Sequence, residues 1–586
     1  MRLPRCRPVG FALAALAACS PPSAPLVSRA APGPSVAAPV TESPHCLSIA
    51  AWNDVHGQLG PDEVQVDATR VLAGGVIAMA DQLAWIRATG DAVVVLDAGD
   101  LFTGPIDSTL AEGAPIIDAY NAMGVDAAAI GNHEFDFGPV GYARVTAAPN
   151  LGDEAGPDGP RGALFARMSS ARFPFLSANL HRGDGKPLAW PNERASTHIA
   201  RGGFDVGVVG YTTIETPITT LKPNVAGLDF ATNAAALVAA EVRALRAAGA
   251  FPVVLLAHAS LEGELPQRLD DPADPDGARR VGELATLLDG MPVADRPDVI
   301  VGGHRHQWML GRVRGVPIVS ADQHGVGLAR IRYCRSDGGA PRLERIDRHV
   351  AMASSPPSSE LGRAVAAAVA PWQKQVSAEA DVVVATLPHL CAFRALNGTA
   401  LAEQNARAIA EQASAAAPPP PGVPIVAVVN SGSLRAPLRA GALRFREIFA
   451  TAPFENGVAI CATTRGGLAR VISNSVRSAE ALERLTFGIA GAKVTLARAK
   501  DGKLTLKRIV LDNAGARGAS APRDEDPIWL AIPDFILWGG DALLEGVTCT
   551  TSATSQVRVR DAWRSVIARE QKCDGGGKNV IIVDAP

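Results

Sequence analysis

Short apolar runs alternate with amphipathic stretches between residues 46 and 350. The runs AVVVLDAGD (92–100), PVVLLAHAS (252–260) and DVIVGGHRH (298–306) carry apolar residues at successive positions. A continuous apolar run predicts a strand that is covered on both faces. The stretch GGVIAMADQLAWIRAT (74–89) has the three-to-four-residue spacing of a helix instead.

The repeated order of strand and helix predicts an α/β domain built in layers over residues 46–352. In such sheets the loops at the carboxyl ends of parallel strands collect in one crevice. Acidic and histidine residues stand at those ends of the predicted strands, as in LSIAAWND (47–54) and DAAAIGNHEFD (126–136). We therefore expect the polar strand ends to form a single site.

A Pro-rich break and then a helical stretch follow at residues 353–379, which we interpret as a connector. A second α/β unit is predicted over residues 380–580, where PIVAVVN (424–430) has the character of a strand and AIAEQAS (408–414) that of a helix. Residues 150–162 are rich in glycine, proline and charged residues and predict a solvated insertion loop.

The first 18 residues have the pattern of an export signal. Basic residues precede an apolar run, VGFALAALAA (9–18), which is too short to cross a bilayer. The run ends in Leu-Ala-Ala-Cys at Cys19, which resembles the lipobox of bacterial lipoproteins and implies a lipid anchor on that cysteine. A plain secretory signal is the alternative. The Pro-, Ala- and Ser-rich residues 19–45 then predict a flexible tether.

The length and charge of the chain narrow the classes of protein. With 586 residues the chain is longer than one core usually accommodates, which agrees with two domains. Its formal net charge is −3, so it lacks the basic excess that binding to a nucleic-acid backbone requires. We therefore expect a small-molecule partner and no nucleic-acid polymer.

Cysteine usage agrees with export. Of the eight cysteines, Cys6 lies in the predicted leader and Cys19 at its end, so six remain. An even number in an oxidising compartment predicts disulfides. Cys46 and Cys334 bracket the first domain, so we expect them to pair. The other four allow three connectivities, among which the sequence does not choose: Cys391, Cys461, Cys549 and Cys573.

Five polar segments at the predicted strand ends carry candidate chemistry. They hold five of the 11 histidines, and the glycines beside them permit tight turns and close backbone approach. The segments are NDVHG (53–57), GD (99–100), GNHEFD (131–136), His258 and GHRH (303–306). Each segment alone is common, but their combination at strand ends indicates one site.

The residue types in these segments suit two divalent ions. A metal pair needs a bridging carboxylate and a mixture of imidazole and carboxylate ligands. Such a pair lowers the pKa of a bound water and stabilises charge on the attacking and leaving oxygens of a displacement at phosphorus. The segments therefore predict metal-dependent hydrolysis of a phosphate ester. Zinc and manganese are the first candidates, and magnesium and cobalt are alternatives.

The ordered set D-x-H, G-D, G-N-H-E, H and G-H-x-H resembles the calcineurin-like metallophosphoesterases. The strings NDVHGQL (53–59), LDAGDLFTG (96–104) and GNHEFDFG (131–138) resemble their 5′-nucleotidase branch. The resemblance implies an α/β fold with an N-terminal four-layer αββα sandwich around a dinuclear site and a C-terminal α/β substrate-binding domain. It also implies the metal ligands, with Asp100 as the bridge, Asp54, His56 and His306 on one ion, and Asn132, His258 and His304 on the other.

The same resemblance gives His133 a role other than metal binding. It corresponds to the histidine that stabilises the transition state in this family, and Asp136 would orient its imidazole. A carboxylate–histidine pair of this kind fixes the ring and supports its positive form. At position 306 the branch has histidine or glutamine, and we hypothesise that the imidazole of His306 strengthens the site for zinc.

Three strings of the second domain resemble the substrate-binding motifs of the family: NSGSLR (430–435), PFEN (453–456) and FILWGGD (535–541). In the family two phenylalanines enclose the base, an aspartate binds the ribose and arginines hold phosphates. Stacking on aromatic rings contributes about 1–3 kcal/mol per base. By position the resemblance implies these substrate contacts: Arg394, Asn430, Arg435, Phe454, Asn456, Phe535 and Asp541.

The second domain also departs from the family pattern. Ser433 stands where glycine is usual, and Trp538 and Ala542 stand beside the Gly-Gly-Asp string. Leu390 occupies the position of a second arginine that family members often carry four residues before Arg394. These departures concern the ester that is bound more than the chemistry that cleaves it.

The resemblance implies a 5′-nucleotidase-type hydrolase that converts extracytoplasmic nucleotides to nucleosides and phosphate. A 2′,3′-cyclic nucleotide phosphodiesterase, a nucleotide-sugar hydrolase and a sulfur-oxidation hydrolase are alternatives; the phenylalanine pair and Asp541 argue against the last. A non-enzymatic alternative is a nucleotide-binding lipoprotein, which would have no need of seven metal ligands. Ser20 after Cys19 is not the aspartate of inner-membrane retention, so we expect the outer membrane, the periplasm or the cell surface.

Overall fold

The computed structural model describes residues 45–584, apart from 67–68, 142–155, 157, 185–187, 232, 336–338, 393–399, 482–487, 513–522 and 574–577. The predicted leader, Cys19 and all of the predicted tether except residue 45 lie outside the described residues, as do Arg394 and residues 150–155 and 157 of the insertion loop. Within the described residues no helix is long and apolar enough to cross a membrane.

The part of the chain before residue 353 consists of strands with helices between them. Its strands are β1 (Cys46–Trp52), β2 (Asp62–Val66), β3 (Thr69–Ala73), β4 (Ala92–Asp97), β5 (Ala127–Ala129), β6 (Phe175–Leu176), β7 (Leu180–Arg182), β8 (Glu193–Arg194), β9 (Ser196–Arg201), β10 (Phe204–Thr212), β11 (Leu228–Phe230), β12 (Val253–His258), β13 (Val299–Gly302), β14 (Met309–Val313), β15 (Val316–Ser320), β16 (Gly327–Cys334) and β17 (Arg342–Val350). Its helices are α1 (Gly75–Arg87), α2 (Ile106–Thr109), α3 (Ala114–Met123), α4 (Gly162–Ser170), α5 (Thr216–Thr219), α6 (Ala234–Ala247) and α7 (Glu283–Asp289).

Two sheets organise this part. The first has the order β17-β16-β1-β4-β5-β6-β8 and the second the order β14-β15-β13-β12-β10-β9. Strands β1, β4 and β5 run parallel to one another, as do β10, β12 and β13. Antiparallel strands stand at the edges, where β16 and β17 extend the first sheet and β9 and β14 extend the second. The carboxyl ends of the central strands of each sheet therefore lie at one edge of that sheet.

Alternate residues of the central strands pack into different layers. In β12, Val254 and Leu256 belong to the core shared with Val94 of the first sheet, whereas Val253 and Leu255 pack with α6 and α7. Helices α1 and α3 contribute to the first core from the other side. The arrangement is helix, sheet, sheet, helix, and the burial of β4 and β12 along their whole lengths confirms the prediction of strands covered on both faces.

The remaining part of the chain has a smaller sheet. Its elements are α8 (Glu360–Ala380), β18 (Val383–Leu387), α9 (Ala400–Ala416), β19 (Ile425–Val429), β20 (Gly441–Arg444), α10 (Phe445–Thr451), β21 (Gly457–Thr464), α11 (Arg465–Ala481), β22 (Gly488–Ala490), β23 (Ala492–Arg498), β24 (Leu504–Leu511), β25 (Pro527–Pro533), α12 (Asp534–Leu537), β26 (Thr551–Arg558), α13 (Val559–Glu570) and β27 (Val580–Asp584). The five-stranded sheet has the order β22-β19-β25-β21-β26. Its two faces are covered differently, because Val426 and Val428 pack with α11 whereas Ala427 and Val429 pack with α9.

Helix α8 touches both parts of the chain. Its first turn is held by Asp81 of α1, whose carboxylate accepts the Ser359 N–H at 2.8 Å. Val365 and Val369 pack into the core of the first part, while Val376 and Ala380 pack into a core of the second part. The predicted connector therefore contains a helix that is packed along its length.

Between residues 45 and 584, as far as the structure describes them, three disulfides join distant segments. Cys46 pairs with Cys334, which confirms the expected pair and fixes β1 to its antiparallel neighbour β16. The structure also selects one of the three open connectivities. It pairs Cys391 with Cys573 and Cys461 with Cys549.

Candidate metal centre and substrate site

The polar strand ends carry an unusual backbone conformation. Five of the predicted ligand residues have positive φ angles, in the left-handed region that side chains other than glycine rarely adopt. They are Asp54 (51°), His56 (47°), Asp100 (58°), His304 (76°) and His306 (58°). Strain of this kind persists only where the surrounding contacts over-determine the loop, and it concentrates at functional sites.

The first group of donor atoms comes from Asp54, His56, Asp100 and His306, which lie within 4.8 Å of one another. The Nε2 atoms of His56 and His306 are 2.9 Å apart, and Nε2 of His306 is 3.3 Å from Oδ1 of Asp54. Burial alone would raise the pKa of Asp54, but the nearby imidazole of His306 lowers it to about 2. The group is therefore a compact set of imidazole and carboxylate donors.

The second group shares a carboxylate with the first. Its donor atoms come from Asp100, His258 and His304, again within 4.8 Å of one another. Nε2 of His258 is 3.0 Å from Oδ2 of Asp100, and Nδ1 of His304 is 3.3 Å from Nε2 of His258. Oδ1 of Asn132 lies 3.1 Å from Nδ1 of His304. The structure thus brings all seven predicted ligand residues together, with Asp100 common to both groups.

Backbone carbonyls orient two of the histidines. Nδ1 of His56 is 3.1 Å from the carbonyl oxygen of Thr103, and Nδ1 of His258 is 2.9 Å from that of Ala98. A carbonyl accepts only, so each neutral ring carries its proton on Nδ1 and turns the lone pair of Nε2 toward Asp100. Fixing the unprotonated nitrogen in this way is how proteins prepare a histidine to bind a metal.

The shared carboxylate shows why these residues fit metal ions. Oδ2 of Asp100 is buried, and the Nε2 atoms of His56 and His258 face it at 3.6 and 3.0 Å. Burial lowers the pKa of His258, but Asp100 and other carboxylates outweigh it and raise the value to about 10. The site therefore requires positive charge, which two divalent ions would supply.

Glu134 holds the loops that carry the ligands, a role that sequence reasoning missed. Its buried carboxylate accepts the N–H groups of Asp100 (2.9 Å), Leu101 (2.7 Å) and Gly131 (2.6 Å). Burial and the neighbouring Asp100 carboxylate raise the pKa of Glu134 to about 7. A Cβ at Gly131 would lie 2.2 Å from Oδ1 of Asp100, so the glycine is required for this close approach.

Asn53 also holds loops of the site together, although the sequence predicted no role for it. Its side-chain nitrogen donates to Oδ2 of Asp54 at 2.5 Å and to the carbonyl oxygen of Asp322 at 2.7 Å. Its side-chain oxygen accepts the Ala321 N–H at 2.6 Å. The residue is fully buried and ties the loop after β1 to the loop after β15.

His133 lies beside the ligand groups. Nδ1 of its ring is 2.6 Å from Oδ2 of Asp136, whose other oxygen accepts the Thr220 hydroxyl at 2.9 Å. Its backbone N–H donates to Oδ1 of Asp100 at 2.9 Å, and its ring centroid is 5.1 Å from that of His56. Burial lowers the pKa of His133, but the carboxylates of Asp136 and Asp100 outweigh it and raise the pKa. The ring is thus fixed next to the carboxylate that the two donor groups share.

Residues of the second part of the chain meet this centre. The ring of Phe454 stacks on that of His133, with centroids 5.7 Å apart and planes 24° apart. The guanidinium carbon of Arg435 lies 5.0 Å from the Phe454 centroid. Burial lowers the pKa of Arg435, and the carboxylates of Asp100, Asp136 and Asp541 oppose the change. Two predicted substrate residues, Phe454 and Arg435, therefore lie beside the two groups of donor atoms.

Three further predicted substrate residues, Asn430, Phe535 and Asp541, lie around a second strained turn. Asp541 has a φ of 52°, and one of its oxygens accepts from Nδ2 of Asn430 at 2.6 Å. Burial raises the pKa of Asp541, although Asn430 and Arg435 lower it. Phe535 is half-buried and covers Gly540, where a Cβ would meet its ring at 2.4 Å.

A buried ion pair supports the Phe454 loop. Glu455 accepts from Nη2 of Arg560 at 2.7 Å and from Nε of Arg558. Arg560 also donates to the carbonyl oxygen of Pro453 at 3.2 Å. Asn456 is buried at the end of the loop, where its carbonyl oxygen accepts the Val559 N–H at 2.8 Å. Sequence reasoning missed the two arginines because they lie about a hundred residues away.

His324 is a further histidine at the centre that the sequence did not single out. Its φ is 56°, its backbone N–H donates to the carbonyl oxygen of Asp54 at 2.8 Å, and its ring centroid is 6.1 Å from that of His56. Burial and the nearby His306 and Arg435 lower the pKa of His324 to about 4. A lone histidine in a polar loop carries no motif that would have revealed it.

Part of the chain is similar in sequence to known 5′-nucleotidases. No family model matches the chain. In sequence the chain is 31% identical to a 5′-nucleotidase of Rattus norvegicus over 222 residues, which are 37% of this chain and 34% of that protein. The match therefore spans about a third of the length of this curated relative.

Solved structures show the same fold over most of the chain. The 5′-nucleotidase precursor of Thermus thermophilus has a TM-score of 0.70 at 18% identity and covers 92% of this chain and 100% of its own. A sulfate thiohydrolase of the same organism has a TM-score of 0.65 at 16% identity and covers 92% and 96%. At these identities the likeness concerns the two-domain α/β fold.

Proposed function

Because this chain is related to the 5′-nucleotidases by sequence and by fold, we propose that it hydrolyses nucleotides to nucleosides and phosphate with two divalent ions. The observation that carries the proposal is the carboxylate of Asp100, which belongs to two groups of donor atoms at once. Asp54, His56 and His306 would hold one ion with it. Asn132, His258 and His304 would hold the other. Zinc and manganese fit this donor set first.

The reaction divides between the ions and the chain. The ions, when bound, would activate the attacking water and neutralise charge on the phosphoryl group. His133 would stabilise the phosphoryl oxygens in the transition state, since Asp136 at 2.6 Å fixes its ring and favours its positive form. The hydrogen bond from the His133 N–H to Asp100 keeps this ring in place relative to the bridging carboxylate.

The substrate would bind between the two domains, for which we propose residues 46–352 and 380–580. Phe454 and Phe535 would enclose the base, and Asp541, held by Asn430, would bind the ribose. Arg435, with Arg394 and Asn456, would complete the site. The stacking of Phe454 on His133 supports this placement, because a nucleotide held by the second domain then has its phosphate close to the metal ligands.

We propose that the protein acts outside the cytoplasm on a lipid anchor at Cys19. The three disulfides support export, since disulfides persist in oxidising compartments. Labelling with a radioactive fatty acid tests the anchor. The wild-type chain should take up label and sediment with membranes, whereas Cys19→Ser should do neither. Equal labelling of the two would exclude this anchor, and export of unlabelled wild type would indicate a plain secretory signal.

The decisive test of the activity is phosphate release by the purified protein from residue 20 onward. The substrates are AMP, ADP, ATP, a UDP-sugar, 2′,3′-cyclic AMP and bis-p-nitrophenyl phosphate, each with Zn²⁺, Mn²⁺ or Mg²⁺ and with chelator. Metal-dependent release from AMP is expected. Cleavage confined to the diesters would identify a cyclic phosphodiesterase instead. Absence of turnover with every metal would refute the hydrolase and leave nucleotide binding to be measured.

A further inference from the structure

His324 sits in a loop that leaves its backbone little freedom. Its N–H donates to the carbonyl oxygen of Asp54 at 2.8 Å, and its own carbonyl oxygen accepts the Gly75 N–H at 2.8 Å. A Cβ at Gly74 would approach the His324 carbonyl oxygen to 2.7 Å. The loop is therefore seated tightly between the end of β1 and the start of α1, and the strained φ of 56° is held by these contacts.

The ring of His324 lies beside the first group of donor atoms. Its centroid is 6.1 Å from that of His56, compared with 4.7 Å for the ligand His306. The charges that act on it are those of His306, Arg435 and Asp54. The ring is half-buried, and within the described ranges no side chain forms a hydrogen bond with it. It thus offers a free imidazole next to the ligands without belonging to their groups.

The positions of His133 and Arg435 indicate which part of a substrate would lie near the imidazole of His324. His133 is hydrogen-bonded to Asp100, so it stands beside the place proposed for the scissile phosphoryl group. Arg435 lies between this place and the proposed site of the ribose, since the carboxylates of Asp100 and Asp541 both act on it. Its guanidinium carbon is 5.0 Å from the centroid of the Phe454 ring that is proposed to hold the base. A phosphate between the scissile group and the ribose would lie near Arg435, and His324 is within electrostatic range of the same guanidinium.

We propose that His324 is a specificity-determining residue that binds, together with Arg435, a second phosphate group adjacent to the scissile one. The inference rests on the proposed function and favours nucleoside diphosphates over monophosphates. A neutral imidazole donates one N–H, and a guanidinium adds a planar fork of donors that suits phosphate oxygens. A monophosphate lacks the group that these donors would hold.

The test replaces the ring without adding backbone strain. His324→Gly and His324→Asn both suit a left-handed backbone, so both variants are expected to fold. With Mn²⁺, the ratio of kcat/KM for ADP to kcat/KM for AMP should fall about tenfold in His324→Gly, since a hydrogen bond to a charged group is lost. The fall should be smaller in His324→Asn, which keeps a donor. His198→Asn, at an exposed histidine paired with Asp205, serves as the matched control.

Two further measurements separate this inference from its rivals. The metal content of His324→Gly should equal that of the wild type, and a loss of one ion would make His324 a ligand and overturn the inference. The affinity of the metal-loaded protein for inorganic pyrophosphate, relative to phosphate, should fall about tenfold in calorimetry. An unchanged pyrophosphate preference, or an equal loss for AMP and ADP, would also overturn it. If the wild type hydrolyses no nucleotide, the proposed function fails, and the pyrophosphate measurement still decides the role of His324.

Discussion

The metal-ligand loops and the substrate loops of this protein are built differently. Asp54, Asp100 and His258 have at most 1% of their surface exposed, and backbone groups and buried side chains of the same part of the chain hold them. Phe454 and Asp541 are half-buried, and side-chain pairs of the second part support them. These three residues of the ligand loops are therefore more deeply buried than Phe454 and Asp541.

From this difference in burial we infer that the ligand loops determine the reaction and the substrate loops determine which substrate is chosen. Five left-handed residues in the ligand loops are fixed by several contacts each, so a change there disturbs the whole centre. The substrate region has two left-handed residues, Asp541 and Ala542, and the predicted base-binding rings of Phe454 and Phe535 are half-buried. We expect substitutions in the first region to abolish the reaction and substitutions in the second to change its selectivity.

The largest effect is expected for Asp100→Asn. The amide removes the negative charge that both groups of donors share, so both ions should be bound more weakly. Activity on AMP should fall by more than about a thousandfold. Metal analysis by mass spectrometry and phosphate release measure the two losses. Asp205→Asn, at an exposed carboxylate, is the matched control. Full activity of Asp100→Asn would mean that this carboxylate does not bridge two ions.

His133→Gln should reduce kcat by about 10²–10³-fold without reducing the metal content. The amide cannot carry the positive charge that Asp136 supports in the imidazole, while the ligands stay in place. Steady-state kinetics on AMP and metal analysis of the same sample provide the measurement. His198→Gln controls for the loss of any histidine. Loss of an ion in His133→Gln, at unchanged turnover per bound metal pair, would place this histidine among the ligands instead.

Glu134→Ala should lower the free energy of unfolding by about 3 kcal/mol, because three buried N–H groups lose their acceptor. Urea denaturation of the metal-free protein gives this difference without a contribution from metal binding. Glu344→Ala, at a carboxylate whose side chain is 46% exposed, is the matched control and should change stability little. Equal stability of Glu134→Ala and the wild type would show that the ligand loops do not depend on this brace.

The smallest of these effects is expected for Phe454→Ala, where a lost stacking contact of about 1–3 kcal/mol should reduce kcat/KM for AMP roughly tenfold. Ribose 5-phosphate, which has no base, should be hydrolysed by the variant and the wild type at more similar rates. The comparison of the two substrates measures base recognition alone. An equal loss on both would place Phe454 in the reaction rather than in substrate choice, and the contrast between the two regions would fail.

The clustering of the seven candidate ligand residues could be predicted because each of them ends or follows a strand whose apolar run is visible in the sequence. Asp100 follows β4 and His258 ends β12, so strand order alone directs both toward one crevice. The first disulfide was predicted for a similar reason, since Cys46 and Cys334 lie at the two ends of the first domain.

The supporting contacts could not be predicted, because they join residues that are distant in sequence and carry no motif. Glu455 meets Arg560 across 105 positions, and Asn53 meets Asp322 across 269. Glu134 lies inside a motif, but no sequence pattern identifies a buried carboxylate that accepts backbone N–H groups. Its neighbours His133 and Asp136, in contrast, have the recognisable spacing of a histidine–carboxylate dyad. The pairing of the last four cysteines likewise depends on how the part of the chain after residue 380 folds.

Titration of metal-stripped protein with Mn²⁺, followed by both metal analysis and phosphate release from AMP, tests whether hydrolysis depends on two ions that share Asp100. We expect no activity in chelator, binding of two ions per chain and activity that appears as the pair is completed. In Asp100→Asn we expect neither binding of the pair nor activity. Phosphate release that persists in chelator, or a chain that binds no more than one ion at full activity, would contradict it.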